Sequence, residues 1–297
     1  MRILNIVFLL IVVVCSNCFC QRQALVFQSD FGLKDGAVAA MKGVAFSVSD
    51  DLQIFDLTHE IPPFNIWEAA YRLNQSVSYW PSGTVFVSIV DPGVGSSRRS
   101  IVAKMVSGHF IVTPDNGTLT LIAENLGIDE VREIDETKNR LKNSEKSYTF
   151  HGRDVYAYTG ARLAAGVIRF EEVGAKISGD IIKLAYQKPV FEDNQIRGNI
   201  PVLDVQYGNV WTNIDNKTFQ KLGVKAGEEV HVRIMHDKKT VYEARVPFAN
   251  TFAEVPEGKV VGYLNSLLNF SIAINANNFA ERYKIKSGPE WSIIVEK

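Results

Sequence analysis

What the chain lacks narrows its chemistry before any motif is considered. All three cysteines, Cys15, Cys18 and Cys20, fall within the first twenty residues. A mature chain starting near Gln21 would carry no thiol, which excludes thiolate catalysis, cysteine zinc sites and disulfides. No run of five or more basic residues occurs and the net charge is −1, so the electrostatic footprint of a nucleic-acid partner is missing. Neither the Walker spacing nor GxGxxG is present, which removes the common phosphate-binding loops. The five histidines show no HExxH-type spacing. A metal hydrolase is therefore disfavoured, and no metal site is expected.

The chain also lacks an apolar run long enough to span a bilayer. The stretch Ile6–Val14 is about half of the roughly 20 residues required. It follows Arg2 and precedes small or polar residues, the order of a secretory signal peptide. Export with removal of residues 1–20 is expected, to the periplasm or beyond, with no stable membrane insertion. A lipidated cysteine is the alternative, although the residues before each cysteine suit a lipobox poorly.

With 46% hydrophobic and 22% charged side chains over its 297 residues, the chain has the balance of a soluble protein with a sizeable core. Residues 24–28, 52–56, 84–90 and 109–113 read as strands, and 38–48, 67–79 and 119–126 as helices between them. That alternation predicts a Rossmann-like α/β domain with a mostly parallel sheet over residues 21–191. After about Lys188 short strands dominate, at 198–205, 229–235, 240–246 and 292–296. They suit a β-barrel or sandwich over 196–297, with a linker near Glu192–Gln195.

Three segments carry residues able to do chemistry. Asp30 follows the first strand, where α/β sheets bind ligands and where a carboxylate can accept both hydroxyls of a ribose. On spacing alone, Asp30 and Asp35 serve equally well as helix caps. Asp91-Pro92-Gly93-Val94-Gly95 follows the most apolar strand, in a tight loop that brings Asp91 near Arg98. An ordinary turn with a surface ion pair has the same pattern. His151 precedes a helix expected over 155–165 and is the side chain best suited to proton transfer near neutral pH. A backbone-bonded histidine at a helix start would look no different.

Taken in order, SDFGLKD (29–35), DPGVGSSRR (91–99), TPDNG (113–117), FHGRD (150–154), GNVWTN (208–213) and NFSIAINAN (269–277) resemble one family. It is that of the S-adenosyl-L-methionine (SAM) hydroxide adenosyltransferases, which use water to split SAM into adenosine and L-methionine, with the fluorinases and chlorinases as halogenating relatives. The likeness runs from about Ala24 to Glu296. It implies a water-activating triad of Asp91, Arg98 and His151, with SAM as substrate and no cofactor.

The resemblance also assigns binding roles. Asp30 matches the ribose-diol carboxylate, and Phe64 matches an aromatic ring against the nucleoside. Asp35, Asp204 and Ser266 match positions holding the methionine amine or carboxylate. Asn209, Phe252, Asn275 and Ala276 match the adenine wall. Ala37 and Leu267 depart from a serine and an arginine that hold methionine in fluorinases. The family further implies an α/β domain, a C-terminal β-barrel, and a homotrimer with SAM between neighbouring chains. Two alternatives stay open: a halogenase, which would want an aromatic residue where Asp91 stands, and an exported nucleoside- or SAM-binding protein without turnover.

Overall fold

A computed structural model describes residues 24–297, so the expected signal peptide lies outside the described residues. The N-terminal sheet contains β1 (Ala24–Ser29), β2 (Gln53–Thr58), β3 (Val85–Ile89), β4 (Ser100–Met105), β5 (Phe110–Pro114) and β6 (Ile128–Glu133), in the order β2-β1-β3-β5-β4-β6. Strand β1 pairs in parallel with β2 and β3, and β3 with β5. Strand β4 runs antiparallel to both β5 and β6. The sheet is mixed rather than mostly parallel because only a few residues join β4 to β5, enough for a hairpin but too few for a crossover.

Alternating side chains of the central strands feed two separate cores. Leu25, Phe27, Val85, Val87 and Ile89 pack against α1 (Ala37–Val48) and the segment around Val155–Ala161. On the other face, Val26, Phe86, Ile101 and Ile111 pack with Leu73 of α2 (Ile66–Ser76) and Ile122 of α3 (Thr120–Leu126). A strand apolar on both faces must be covered on both, and the helices do so. The helix expected at 155–165 starts earlier, as a π-helical turn over Gly152–Ala157 that runs into α4 (Tyr158–Ala164).

The C-terminal strands are β7 (Val190–Glu192), β8 (Gln195–Ile200), β9 (Val202–Asp204), β10 (Asn209–Asp215), β11 (Glu229–His236), β12 (Lys239–Pro247), β13 (Val260–Leu264), β14 (Asn269–Ile274) and β15 (Gly288–Glu296). They pair antiparallel as two sheets, β13-β14-β10-β9 and β12-β11-β15-β8-β7, over one core that includes Ile196, Val210, Ile234, Phe270 and Ile293. Two sheets sharing a core stand where a barrel or sandwich was expected; a bridge between Phe248 and Gly262 links their β12 and β13 edges, and a closed ring of strands is not seen among the described residues. The strand read as 198–205 divides at Pro201, which has no N–H to give a ladder, and the chain passes there from one sheet to the other. Short helices α5 (Asn216–Phe219) and α6 (Phe279–Tyr283) cover the ends.

Glu192–Gln195, expected as a linker, is the hairpin between β7 and β8, with Asp193 and Asn194 both left-handed (φ 51° and 58°). The two regions are tied within the chain by Trp67 Nε1, which donates to Pro201 O at 3.0 Å, and by Arg72 Nη2, which donates to Leu203 O at 3.0 Å. Among the described residues, no helix is long and apolar enough to cross a membrane.

Candidate active site

The register of the parallel strands puts the key loops side by side. Ser29 of β1 pairs with Ile89 of β3, so Asp30 and Asp91 leave the sheet at the same carboxyl edge, where open α/β sheets bind ligands. From Asp91 the loop turns back to Arg98. The guanidinium then grips the carboxylate with two bonds, Nε to Oδ1 at 2.8 Å and Nη2 to Oδ2 at 2.5 Å. Both side chains are almost wholly buried, unlike the surface pair the sequence alone would allow.

Arg98 reaches two further groups. Its Nη1 donates to Ser100 Oγ at 2.8 Å and its Nη2 lies 3.1 Å from His151 Nδ1. A guanidinium only donates, so Nδ1 must accept and the neutral ring carries its proton on Nε2. Burial lowers the His151 pKa, assisted by the positive charges of Arg98 and Arg140 and opposed by Glu136 and Asp91. The ring is therefore neutral near pH 7. Its buried Nε2 has no hydrogen-bond partner among the described residues. Burial works against the charge on Arg98, but the hydrogen bond and charge of Asp91 outweigh it and raise the pKa.

Sequence reasoning missed two members of this cluster. Tyr156, fully buried, has its Oη 3.4 Å from Asp91 Oδ2 and 3.2 Å from Ser100 Oγ, and its ring lies 5.5 Å from the Arg98 guanidinium. Burial first, then the Asp91 charge, raises its pKa and keeps it a neutral donor. Tyr156 lies five residues after His151, a spacing that shares a face only in a π-helical turn. Nothing in the sequence announces that turn. Ser100 is the first residue of β4, a strand the reading did not include.

Around this cluster, the Phe31 ring meets Phe150 edge-on at 5.7 Å, and a Cβ on Gly152 would come within 3.0 Å of Phe31. Glycine is what lets the FHGRD segment approach the Asp30 loop so closely. Phe64 is exposed and left-handed (φ 67°), unusual for a bulky residue, and its N–H donates to Asp30 Oδ2 at 2.9 Å. Asp35 stands apart from the cluster. Its Oδ1 accepts the Ala37 N–H at 2.9 Å, a turn at the start of α1.

The other expected binding residues gather in the C-terminal region. Asp204 Oδ2 accepts from Asn209 Nδ2 at 3.0 Å, and Asn275 Nδ2 donates to Val255 O at 2.9 Å. Phe252 packs on Tyr263 at 4.8 Å. Asn209, Phe252, Asn275 and Ala276 line an open cleft of about 510 Å³, together with Tyr207, which the sequence reading did not include. Ser266 lies outside that cleft, exposed in the β13–β14 turn, and Leu267 is packed near Tyr71 and Trp211. Among the described residues, no hydrogen bond joins this cleft to the Asp91 cluster. No group of three or more His, Cys, Asp or Glu side chains is placed to hold a metal ion among the described residues.

Comparison with known proteins finds matches along most of the chain. Residues 25–174 match the SAM hydroxide adenosyltransferase N-terminal domain, and 198–292 match the C-terminal domain of the same family. A Methanocaldococcus jannaschii (R)-S-adenosyl-L-methionine hydrolase is 33% identical over 85% of each chain. A Nocardia brasiliensis fluorinase is 31% identical over 90% of this chain and 95% of its own. An uncharacterized conserved protein from Thermotoga maritima, known from its crystal structure, superposes with a TM-score of 0.85 at 34% identity, over 92% of this chain and all of its own.

Proposed function

Because this chain belongs to the SAM hydroxide adenosyltransferase family, a family of SAM-processing enzymes, we propose that it hydrolyses SAM to adenosine and L-methionine. The carrying observation is the buried Asp91–Arg98–His151 cluster, in which the His151 Nδ1 lone pair is already taken by Arg98. His151 is then a donor through Nε2, not the base. Asp91 Oδ1 accepts a single bond from Arg98 and keeps a lone pair for a proton.

In the proposed reaction, a water oxygen attacks the ribose 5′ carbon opposite the sulfonium. The new C–O bond forms as the C–S bond breaks, the electron pair leaves on sulfur as the neutral thioether of methionine, and the water proton passes to Asp91. His151 Nε2–H steadies the attacking oxygen, while Arg98 and Tyr156 hold Asp91 in place. The sulfonium is already an excellent leaving group, so no metal or other cofactor is expected.

Halogenation is the competing reading, since fluorinases are among the relatives. Asp91 argues against it. An ionised carboxylate about 4 Å from an incoming halide repels it by roughly 4 kcal/mol at an effective dielectric of about 20. The charge of Arg98 offsets part of this, but its Nε, Nη1 and Nη2 are all engaged within the cluster and offer the halide no free positive site. Binding without turnover is disfavoured by a buried cluster that binding alone would not need.

The Asp91 cluster and the open cleft at Asn209 are read as two halves of a site assembled between chains of a homotrimer, with the triad of one chain facing the adenine wall of the next. Export of a chain starting near Gln21 is part of the same proposal, and the N-terminal sequence of protein recovered outside the cytoplasm checks it. The central test is incubation with each sulfonium epimer of SAM, with chelator and with molar chloride or fluoride. Adenosine and methionine are expected throughout, with no 5′-halo-adenosine. A divalent-ion requirement, or halogenated product at a comparable rate, overturns the reading.

A further inference from the structure

Beneath the Asp30 loop, away from the reacting cluster, runs a second line of polar groups. Ser29 Oγ lies 2.7 Å from His59 Nδ1, His59 Nε2 lies 3.0 Å from Asp56 Oδ1, and Lys42 Nζ reaches Asp56 Oδ2 at 2.6 Å. Burial tends to raise the Asp56 pKa, but the bonds from Lys42 and His59 outweigh it and keep the carboxylate ionised. An ionised carboxylate only accepts, so His59 Nε2 donates to Asp56 while Nδ1 pairs with the Ser29 hydroxyl.

Ser–His–Asp is the order of a hydrolytic triad, but Ser29 is fully buried and its oxygen also accepts the Phe31 N–H at 3.3 Å. No substrate atom reaches it. The line holds the loop instead. His59 grips it twice, through Ser29 on one side of Asp30 and through its own carbonyl, which accepts the Gly32 N–H at 2.8 Å, on the other. Among the described residues, the Asp30 carboxylate makes one hydrogen bond, from the Phe64 N–H to Oδ2. Its aim is therefore set mainly by the loop, and the loop by His59.

We propose that His59 is a positioning residue that fixes Asp30 for bidentate capture of a ribose 2′,3′-diol, an inference that rests on the SAM reading above. Such a role makes a specific claim: losing His59 costs recognition of the diol and little else. Calorimetry with adenosine and 2′,3′-dideoxyadenosine, on wild type, Asp30→Ala and His59→Gln, reads it directly. The wild type is expected to prefer adenosine at least about tenfold, the scale of hydrogen bonds to a charged group. In Asp30→Ala that preference disappears. In His59→Gln it falls below about threefold, through weaker adenosine binding and with dideoxyadenosine affinity unchanged. Merely structural damage would weaken both nucleosides alike.

If His59→Gln does not fold, Ser29→Ala removes one oxygen from the same line and gives the same readout. A wild type without the preference, a folded variant that keeps it, or equal weakening of both nucleosides overturns the role of His59 and leaves the SAM reading standing. A wild type that binds neither nucleoside and leaves SAM intact overturns that reading, and this inference with it.

Discussion

At the scale of the residue, the tautomer of His151 separates two mechanisms that the sequence left open. If His151 were the base, removing it would cost as much as removing Asp91. With Nδ1 occupied by Arg98, the ring contributes an N–H, which a glutamine amide can imitate in part. Single-turnover rates are expected to fall roughly 10²–10⁴-fold in Asp91→Asn, the scale of a positioned proton acceptor. His151→Gln is expected to lose only about tenfold, the scale of one neutral hydrogen bond. Equal losses would return the base to His151.

The same residue fixes a pH dependence. The pKa of His151 is lowered from 6.5 by burial, so the native state favours the neutral ring more than the unfolded chain does. Its contribution to stability is complete above pH 6.5 and is lost as pH falls from there through the lower native value. Between pH 7 and 5 the Tm of wild type is therefore expected to fall more steeply than that of His151→Gln. Parallel curves would show that the ring is not held neutral. Protonation would also put a hydrogen on Nδ1 against Arg98, so any acid limb of kcat/KM due to His151 lies below pH 6.5.

At this scale the sequence was informative about Asp91, Arg98 and His151 only through the resemblance, because a turn, an ion pair and a helix-start histidine look alike in one chain. Tyr156 and His59 were invisible for a different reason. One depends on a π-helical turn and the other on contacts between β1 and β2, and neither has a local pattern.

At the scale of the element, hydrophobic alternation located β1, β2, β3 and β5, the strands that frame the carboxyl edge. It missed β4 and β6, which form the antiparallel part. Ile128–Glu133 is half polar because it is an edge strand, and an edge strand need not look like a core one. Asp193-Asn194 could have been read as a hairpin, since both residue types tolerate the left-handed region.

Packing between elements is tight where α4 crosses β3. A Cβ on Gly160 would sit 2.4 Å from Val87 Cγ2, and Val87 is fully buried in the core under the triad loop. Gly160→Ala is expected to destabilise by about 1–3 kcal/mol as the helix is pushed off the sheet. Urea unfolding would show a lower midpoint at unchanged slope. An unchanged midpoint would mean that α4 is free to shift, and that the π-helical turn leading into it is not rigidly set by this contact.

At the scale of the whole molecule, the proposed division of the site between two chains is a feature that neither composition nor periodicity foretold. Exposed apolar side chains flank both halves, Leu33, Phe64 and Tyr148 on one, Val205 and Tyr207 on the other. Exposed apolar surface of this kind is what a neighbouring chain would cover. If the proposed trimer is a head-to-tail ring, each site takes its triad from one chain and its adenine wall from the next. Two variants each inactive alone, Asp91→Asn in the triad and Asn209→Ala in the wall, would then complement each other. Dissociated and reassembled in equal amounts, they are expected to recover about a quarter of wild-type activity, because random assortment pairs an intact triad with an intact wall in that share of sites. A site complete within one chain predicts no recovery at all, since every chain in the mixture carries one lesion. The complementation assay thus decides between the two arrangements without a structure of the assembly.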